Sequence, residues 1–291
     1  MNKATPNIQE ILSNHGYRIV QCLENKYFPS VLLVYSSSFN ENYVCKVVTK
    51  RIKYEKEIHA LTVLDHPNII RLYSHFEDSD TFFLILEYCQ GGSLEDLIKH
   101  HARPKQDKII NYTKQIVAAL KYIHSKNIVH HDLKPSNILF DKYGRIKIAD
   151  FGLSCAYKQN SSNYYVGSYG YLSPEQRANH VFDPFVADIW SLGVTIYFMT
   201  CGFNPFLQQK NGLKIFIPMY VEKTLVNIIT GTLEEDPSKR ISLNDIQAYL
   251  LSNPKLTIPS TSWYGIPAMK SIEMSPKVSQ IRPGKSTIIR V

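Results

Sequence analysis

The sequence predicts an α+β fold with two lobes, a small antiparallel β-sheet lobe with one helix and a larger, mainly helical lobe. Three observations support this fold class. Up to about residue 88, short runs rich in Val, Ile and Tyr alternate with turn residues, as in β-strands. After residue 105, apolar residues recur at helical spacing. Gly91 and Gly92 separate the two regions, so we expect a ligand cleft where the lobes meet.

The first lobe contains five predicted strands and one predicted helix. The helix covers 54–64, where Ile58, Leu61 and Leu64 follow one another at three-residue intervals and share a face. The expected strands are 17–23, 31–36, 43–48, 68–76 and 81–88. The turn chemistry of Asn-Glu-Asn at 40–42 separates the second strand from the third. Short strands with tight turns predict an antiparallel sheet.

The second lobe begins with a long amphipathic helix over 106–126. Its apolar stripe consists of Ile109, Ile116, Leu120 and Ile123. Short apolar runs surround 128–149, and an irregular segment rich in Ser, Tyr and Asn covers 154–170. Further helices are predicted over 184–201, 219–230 and 242–250.

Composition divides the chain into an arm, one two-lobed domain and a tail. Residues 1–16 are polar and are expected to form a short, loosely held N-terminal arm. The domain covers 17–252, with lobes 17–89 and 90–252. Residues 253–291 contain five prolines and several lysines, which predict a basic, disordered tail.

The overall composition is that of a globular protein. Of the 291 residues, 44% are hydrophobic and 20% charged, which excludes a disordered or low-complexity chain. The 33 Lys and Arg residues exceed the 25 Asp and Glu residues by 8, giving a formal charge of +8. This excess is spread along the chain and partly concentrated in the tail, so nucleic acid is not an expected partner.

The spacing of the cysteines and the lengths of the hydrophobic runs indicate the cellular compartment of the protein. The five cysteines include no Cys-x-x-Cys pair and no Cys/His cluster, which argues against a zinc site or a disulfide framework. The start of the chain lacks the apolar run of a signal peptide. Region 185–203 is long and apolar, but its Asp188 favours a buried core helix over a membrane span. We therefore expect a protein of the cytoplasm or the nucleus with reduced thiols.

The most informative segment is 130–137, HHDLKPSN, followed by DFG at 150–152. Asp132 and Asn137 lie five residues apart on one loop, and Asp150 follows eighteen residues after Asp132. Carboxylate and amide oxygens suit Mg²⁺, which usually retains phosphate oxygens of a substrate in its coordination shell. A carboxylate beside an incoming hydroxyl group orients it and accepts its proton. The pattern predicts a hard-cation site with a base beside it.

These motifs carry a family resemblance, because over residues 17–250 the chain resembles the eukaryotic protein kinases. Residues 130–137 and 150–152 resemble the catalytic loop and the metal-binding motif of that family. The Asp-Leu-Lys-Pro-x-Asn order at 132–137 is similar to that of serine/threonine kinases. The segments most similar to the calcium/calmodulin-dependent-kinase-like group are 57–58, 66–70, 87–92 and 202–206.

The resemblance implies transfer of the ATP γ-phosphate to protein Ser/Thr hydroxyls, with MgATP and protein substrates as partners. Asp132 is the implied catalytic base, and Lys134 neutralises charge on the transferred phosphoryl group. Lys46 is the implied phosphate-holding lysine, and Glu57 is the helix glutamate that pairs with it. The implied magnesium ligands are Asn137, which belongs to the catalytic loop, and Asp150.

Further residues of the cleft follow from the same resemblance. The other implied nucleotide contacts are Leu23, Val31, Val44, Leu86, Glu87, Cys89 and Leu139. The implied hydrophobic spine that joins the lobes consists of Leu61, Leu72, His130 and Phe151. Asp188 is the implied support of the catalytic loop, and Glu175 pairs with Arg240. Calmodulin is not a predicted partner, because five prolines interrupt any amphipathic helix in 253–291.

Two departures from the family pattern concern the nucleotide. The family's Gly-x-Gly-x-x-Gly-x-Val loop is replaced at 24–31 by ENKYFPSV, which contains no glycine. Glycine normally lets backbone N–H groups approach phosphates closely. Val44 replaces the usual Ala and adds two methyl groups beside the adenine position. These changes favour an alternative, a pseudokinase with weak or no ATP binding that acts as a scaffold or allosteric partner.

A third departure concerns regulation. His131 stands where the family has an Arg before the catalytic Asp. That Arg commonly binds a phosphate on the activation segment, the stretch from Asp150 to Glu175, through charge-assisted hydrogen bonds. Without this Arg, we expect phosphorylation of the activation segment to matter less.

Overall fold

A five-stranded antiparallel sheet forms most of the first lobe. The computed structural model describes residues 7–23, 30–49, 51–101, 103–156, 166–178, 181–207 and 215–252. Within these ranges the sheet contains β1 Tyr17–Cys22, β2 Val31–Ser36, β3 Glu41–Val48, β4 Leu72–Asp78 and β5 Thr81–Glu87. The strand order is β1-β2-β3-β5-β4, and every neighbouring pair is antiparallel. All residues of β5 but Glu87 are buried, as its place between β3 and β4 requires.

The helix that follows strand β3 packs its apolar side against the sheet. This helix, α2, covers Arg51–Val63, three residues earlier at its start than the predicted bounds. Its buried residues are Tyr54, Glu57, Ala60 and Leu61. Their spacing places them on one face of the helix. Glu57 is thus a carboxylate on an otherwise apolar face, so it requires a cation as a partner.

The expectation of a loose arm over 1–16 is wrong for the part that the structure describes. Residues Ile8–Asn14 form helix α1, which begins at Asn7, whose side chain accepts the backbone N–H of Glu10. Leu12 is fully buried among residues of β2, β3 and β5, on a second core cluster separate from the main one. The ring of His15 stacks on that of Phe76 at 3.7 Å. This segment therefore covers one face of the sheet.

The second lobe is mainly helical, as predicted. Its helices are α3 Leu94–His100, α4 Gln106–Ser125, α5 Pro174–Arg177, α6 Pro184–Cys201, α7 Lys223–Thr232 and α8 Leu243–Leu251. Its short strands are β6 Ile128–Val129, β7 Ile138–Phe140, β8 Ile146–Ile148 and β9 Cys155–Ala156. Helix α3 lies outside the predicted helices, although Ser93 and Asp96 form a capping box at its start. The predicted tail, 253–291, lies outside the described residues.

Helix α6 forms the centre of the second lobe. By length and composition alone it could span a membrane, but 89% of it is buried inside the protein. Its neighbours include α4 and α7. The core position expected for region 185–203 is therefore confirmed.

Backbone hydrogen bonds join the two lobes beside the hinge, the connection between the lobes formed by residues 87–89. The predicted strand 68–76 begins only at Leu72, because the residues before it bond to β8 of the other lobe. Ile70 donates its N–H to the carbonyl of Ile148 at 2.9 Å, and Ile148 donates to Asn68 at 2.8 Å. The two-lobed α+β fold predicted from the sequence is confirmed.

Candidate active site

The loop before Asp132 is held by a buried carboxylate on helix α6. Asp188 accepts the backbone N–H groups of His130 and His131, each at 2.9 Å, and lies 3.0 Å from Nε2 of His124. Burial alone would raise the pKa of Asp188, but its hydrogen bond with His124 lowers it below the ordinary value. Asp188 is therefore a carboxylate at neutral pH, and it fixes the backbone on which Asp132 depends.

The side chain of Asp132 lies at the centre of a hydrogen-bond cluster. Lys134 Nζ donates to its Oδ2 at 2.7 Å, and Asn137 Nδ2 donates to the same oxygen at 3.2 Å and to the Asp132 carbonyl at 2.9 Å. The N–H of Asp132 donates to Nδ1 of His130 at 3.2 Å. The three residues of the implied catalytic loop thus converge, with the ammonium group of Lys134 beside the carboxylate of Asp132.

Ser168, which is not among the predicted site residues, also belongs to this cluster. Its Oγ donates to Oδ1 of Asp132 at 2.7 Å and accepts from Lys134 Nζ at 2.6 Å, and its N–H donates to the same Oδ1 at 3.0 Å. Gly167 permits this approach, since its φ is +124° and a Cβ there would lie 2.6 Å from the His131 carbonyl oxygen. The Gly-Ser pair shortly before Ser173-Pro174-Glu175 is the signal that could have identified the residue.

A second cluster connects the two lobes through Lys46 on β3. Its Nζ lies 2.8 and 2.7 Å from the two carboxylate oxygens of Glu57 on α2 and 2.7 Å from Oδ1 of Asp150. Burial would lower the pKa of Lys46, but Glu57 and Asp150 raise it above its ordinary value. Lys46 therefore stays charged at neutral pH. The predicted pairing of Lys46 with Glu57 is present in the structure.

Asn137 and Asp150, the implied metal ligands, lie beside each other. Ala149 donates its N–H to the Asn137 carbonyl at 2.9 Å, and the neighbouring residues Ile138 and Ile148 pair across β7 and β8. Burial would raise the pKa of Asp150, but Lys46 lowers it below the ordinary value, so the carboxylate is ionised. Among the described residues, no group of three His, Cys, Asp or Glu side chains converges as a metal site.

An amide oxygen, a carboxylate and the phosphate oxygens of a nucleotide form the kind of donor set that a hard divalent cation takes. Asn137 uses its amide nitrogen on Asp132, which leaves the amide oxygen for a cation. Asp150 uses Oδ1 on Lys46, which leaves Oδ2. The residues present therefore fit a divalent cation of the kind that binds together with phosphates.

Of the residues implied in nucleotide contact, some pack with the main apolar core and others lie outside it. Val44 lies opposite Leu86 in the β3–β5 pair. Leu86, Cys89, Val44 and Leu139 pack in or against the main apolar core. Glu87 directs its carboxylate away from this group, to Lys147 at 2.8 Å. Leu23 is exposed and donates its N–H to the carbonyl of Val31 at 2.9 Å. Residues 24–29, most of the glycine-free loop, lie outside the described residues.

Two further contacts implied by the resemblance are present. The rings of His130 and Phe151 meet edge to face at 4.9 Å, and Leu61 and Leu72 pack in or against the same core. Glu175 and Arg240 form a bidentate ion pair, in which the two guanidinium nitrogens donate to the two carboxylate oxygens at 2.7 and 3.0 Å. The guanidinium group also lies over the ring of Trp190. The first contact joins the segment before Asp132 to the segment after Asp150, and the second joins α5 to the chain before α8.

Comparison with known proteins identifies the class that this fold and site define. A model of the protein kinase domain matches residues 27–250. The chain is 37% identical over 220 residues to a probable serine/threonine-protein kinase of Dictyostelium discoideum, covering 72% of this chain and 26% of that protein. It is 34% identical to an Aurora kinase of Yarrowia lipolytica, covering 77% of this chain and 62% of that protein. It is 30% identical to CBL-interacting serine/threonine-protein kinase 3 of Arabidopsis thaliana, covering 79% and 57%.

The chain belongs to the protein kinase family. The expected similarity to the calcium/calmodulin-dependent-kinase-like group is confirmed by the CBL-interacting relatives and by an SNF-related kinase. The chain spans between 26% and 62% of the lengths of the three relatives described above.

Proposed function

We propose that this chain is an active serine/threonine protein kinase that transfers the γ-phosphate of MgATP to Ser or Thr hydroxyls of proteins. Asp132 orients the incoming hydroxyl group and accepts its proton. Lys134 neutralises charge that develops on the transferred phosphoryl group, and Lys46 holds the phosphates in line. Asn137 and Asp150 would hold a magnesium ion, which would supply neutralisation of the charge on the phosphate oxygens.

The contacts of Lys46 are the strongest support for the proposal. Lys46 contacts Glu57 and Asp150 at the same time, so a cation of the first lobe, a helix glutamate and a metal ligand of the second lobe meet at one point. Phosphoryl transfer requires little covalent chemistry from the protein, and its catalysis depends on such positioning and charge neutralisation.

A transfer assay with labelled ATP on a library of Ser- and Thr-containing peptides tests the proposal. We expect Lys46→Ala and Asp150→Ala each to abolish transfer. Matched controls are Lys142→Ala and Asp107→Ala, which remove an exposed lysine and an exposed aspartate and should leave the rate unchanged. Thermal melting verifies that each variant is folded. Transfer that persists in both site variants would refute the proposal.

A pseudokinase scaffold is the second candidate, and specific residues favour it. The run 24–31 contains no glycine, and Val44 narrows the space beside Leu86, its neighbour across β3 and β5. Both features oppose tight binding of a nucleotide. In this alternative, the Lys46 cluster serves only to hold the lobes together.

A thermal-shift titration separates the two candidates. A ligand that binds only the folded state stabilises by RT ln(1 + [L]/Kd), so binding appears as a rise in melting temperature with concentration. A rise with ATP that depends on Mg²⁺ favours the enzyme, and no response up to about millimolar ATP favours the scaffold. Because binding alone does not demonstrate transfer, the peptide assay must follow.

The same proposal assigns the protein to the cytoplasm or the nucleus. All five cysteines are free thiols, and both ATP and reduced thiols are typical of these compartments. Fluorescence microscopy of a tagged full chain tests the assignment.

A further inference from the structure

His131 makes a side-chain contact that the phosphoryl-transfer roles do not use. Its Nε2 lies 3.1 Å from Sγ of Cys155. On the other side, its backbone N–H donates to Asp188 at 2.9 Å. The φ of His131 is 66°, a left-handed conformation that is unfavourable for a residue with a Cβ and persists only where its surroundings fix it. Asp188 and Cys155 are therefore the two attachments of this residue.

The contact connects the two segments that carry the reacting groups. His131 directly precedes Asp132, the implied base. Cys155 lies five residues after Asp150, the implied metal ligand, on strand β9. Within the described residues, which on this side of the gap end at Ala156, this strand is joined to β6 by two residue pairs, Val129 with Cys155 and Ile128 with Ala156. The side-chain contact therefore adds a hydrogen bond to the backbone pairs that hold the start of the activation segment to the catalytic loop.

Both partners of the contact are uncharged at neutral pH. Burial lowers the pKa of His131. Asp188 would raise this pKa, but the nearby His130, Lys56 and His124 also lower it, so the pKa stays below its ordinary value. Burial raises the pKa of Cys155, and Lys56 opposes this shift while Asp188 supports it. A neutral imidazole and a neutral thiol can form a hydrogen bond directly, so the contact does not require a phosphate group. An arginine at position 131 would instead require a negative partner.

We propose that His131 and Cys155 are positioning residues that hold the start of the activation segment against the catalytic loop without phosphorylation. The inference rests on the proposed function, since it concerns the geometry of that active site. It also gives a physical basis to the expectation that phosphorylation of the segment matters less in this chain. Among the described residues, no side-chain hydrogen bond joins His131 or Cys155 to Lys46 or to the hinge, so nucleotide binding should be insensitive to the pair.

Kinetics of full-chain variants test the proposal. Cys155→Ala and His131→Ala each remove one partner, and Cys155→Ser keeps a short hydrogen-bonding side chain. We expect both alanine variants and their double variant to lower kcat about tenfold, with the KM for ATP changed less than about twofold. The double variant should be no worse than either single variant, because all three lose the same contact. Cys155→Ser should recover kcat to within about threefold of the original chain.

Cys22→Ala is the matched control, because it removes an exposed cysteine of β1 far from the pair in sequence. It should leave kcat unchanged. Additive losses in the double variant, or no rescue by Cys155→Ser, would overturn the positioning role. Treatment of the original chain with a broad-specificity phosphatase should leave its rate unchanged. A large loss of rate on that treatment would overturn independence from phosphorylation.

Hydrogen exchange separates a failure of this inference from a failure of the proposed function. The amides of Cys155 and Ala156 should exchange faster in the two alanine variants than in the original chain and Cys155→Ser. This readout does not depend on catalysis. If the original chain transfers no phosphate, the proposed function fails, while the exchange rates still decide whether His131 holds strand β9. Unchanged exchange in both alanine variants would overturn the inference.

Discussion

The ammonium group of Lys147 on β8 lies 2.8 Å from the carboxylate of Glu87, so an ion pair ties the second lobe to the hinge. The backbone N–H of Glu87 also donates to the Arg71 carbonyl at 2.9 Å, and the Arg71 N–H donates to the Glu87 carboxylate at 3.3 Å. The side chains of Lys147 and Glu87 are only 9% and 18% exposed. The pair therefore combines a hinge residue with the strand that precedes Asp150.

Replacement of Lys147 by Met should destabilise the protein, because it leaves the Glu87 carboxylate without its cation. Breaking such a largely buried pair from one side costs about 3 kcal/mol. Urea-induced unfolding measures the change in the free energy of unfolding. The double variant Lys147→Met/Glu87→Leu removes both charges and should recover most of the loss. Losses that add in the double variant would show that the two side chains are not coupled.

The second prediction concerns Ser168, which hydrogen-bonds both Asp132, the proposed base, and Lys134. Ser168→Ala removes one hydrogen bond to each of two charged side chains, Asp132 and Lys134. Because each such bond contributes about 1.5–3 kcal/mol, we expect kcat to fall at least about tenfold. The KM for ATP should stay the same, since Ser168 does not contact Lys46 or the hinge. Steady-state kinetics with a peptide substrate measure both constants.

Ser168→Thr is the matched control for this position. It keeps the hydroxyl group and should retain most of the activity. A melting temperature near that of the original chain for both variants would exclude unfolding as the cause. Equal activity of the alanine and threonine variants would contradict a role for the hydroxyl group.

The third prediction concerns the pH dependence of stability through Glu175. Burial would raise the pKa of Glu175, but its hydrogen bonds with Arg240 lower it below the ordinary value of about 4.5. A carboxyl whose pKa is lower in the folded state stabilises that state above its unfolded pKa, and this contribution is lost as the pH falls through the folded value. The free energy of unfolding should therefore decrease with falling pH below about 4.5.

Glu175→Gln should make that decrease shallower, because the titrating group is gone. The variant should also be less stable at pH 7, since Arg240 loses its charged partner. Denaturant unfolding at a series of pH values measures both effects. Asp107→Asn, at an exposed position of α4, is a matched control that should retain the original slope. An unchanged slope for Glu175→Gln would show that another carboxyl dominates.

The sequence predicted the proximity of the candidate site residues that belong to contiguous motifs. Asp132, Lys134 and Asn137 lie within six residues, and the structure brings them together as that short loop requires. Lys46 and Glu57 are eleven residues apart, and a strand followed by a helix is enough to make them meet. Local chain geometry limits such pairs to few arrangements, so the sequence pattern carries most of the information.

Contacts between residues far apart in the sequence were harder to predict. Ser168 meets Asp132 across 36 residues, and Lys147 meets Glu87 across 60, so only the tertiary fold brings these partners together. Cys155 gave no sign of its contact with His131, because a lone cysteine in a polar segment has no distinguishing pattern. The first helix was missed for a different reason, since two turns with Ile8, Ile11 and Leu12 provide too few positions to establish a helical period.

The last prediction tests whether helix α1 is an integral part of the fold. Leu12 is fully buried against β2, β3 and β5, so Leu12→Ala leaves a cavity in that second core cluster. Such a substitution costs about 2–5 kcal/mol, which urea-induced unfolding measures directly. Ile52→Ala is a suitable control, because Ile52 is 71% exposed on α2 and its loss should change stability by less than about 0.5 kcal/mol. If Leu12→Ala were as mild as this control, the sheet would be stable without α1, and residues 8–14 would be the loose arm that their polar composition suggests.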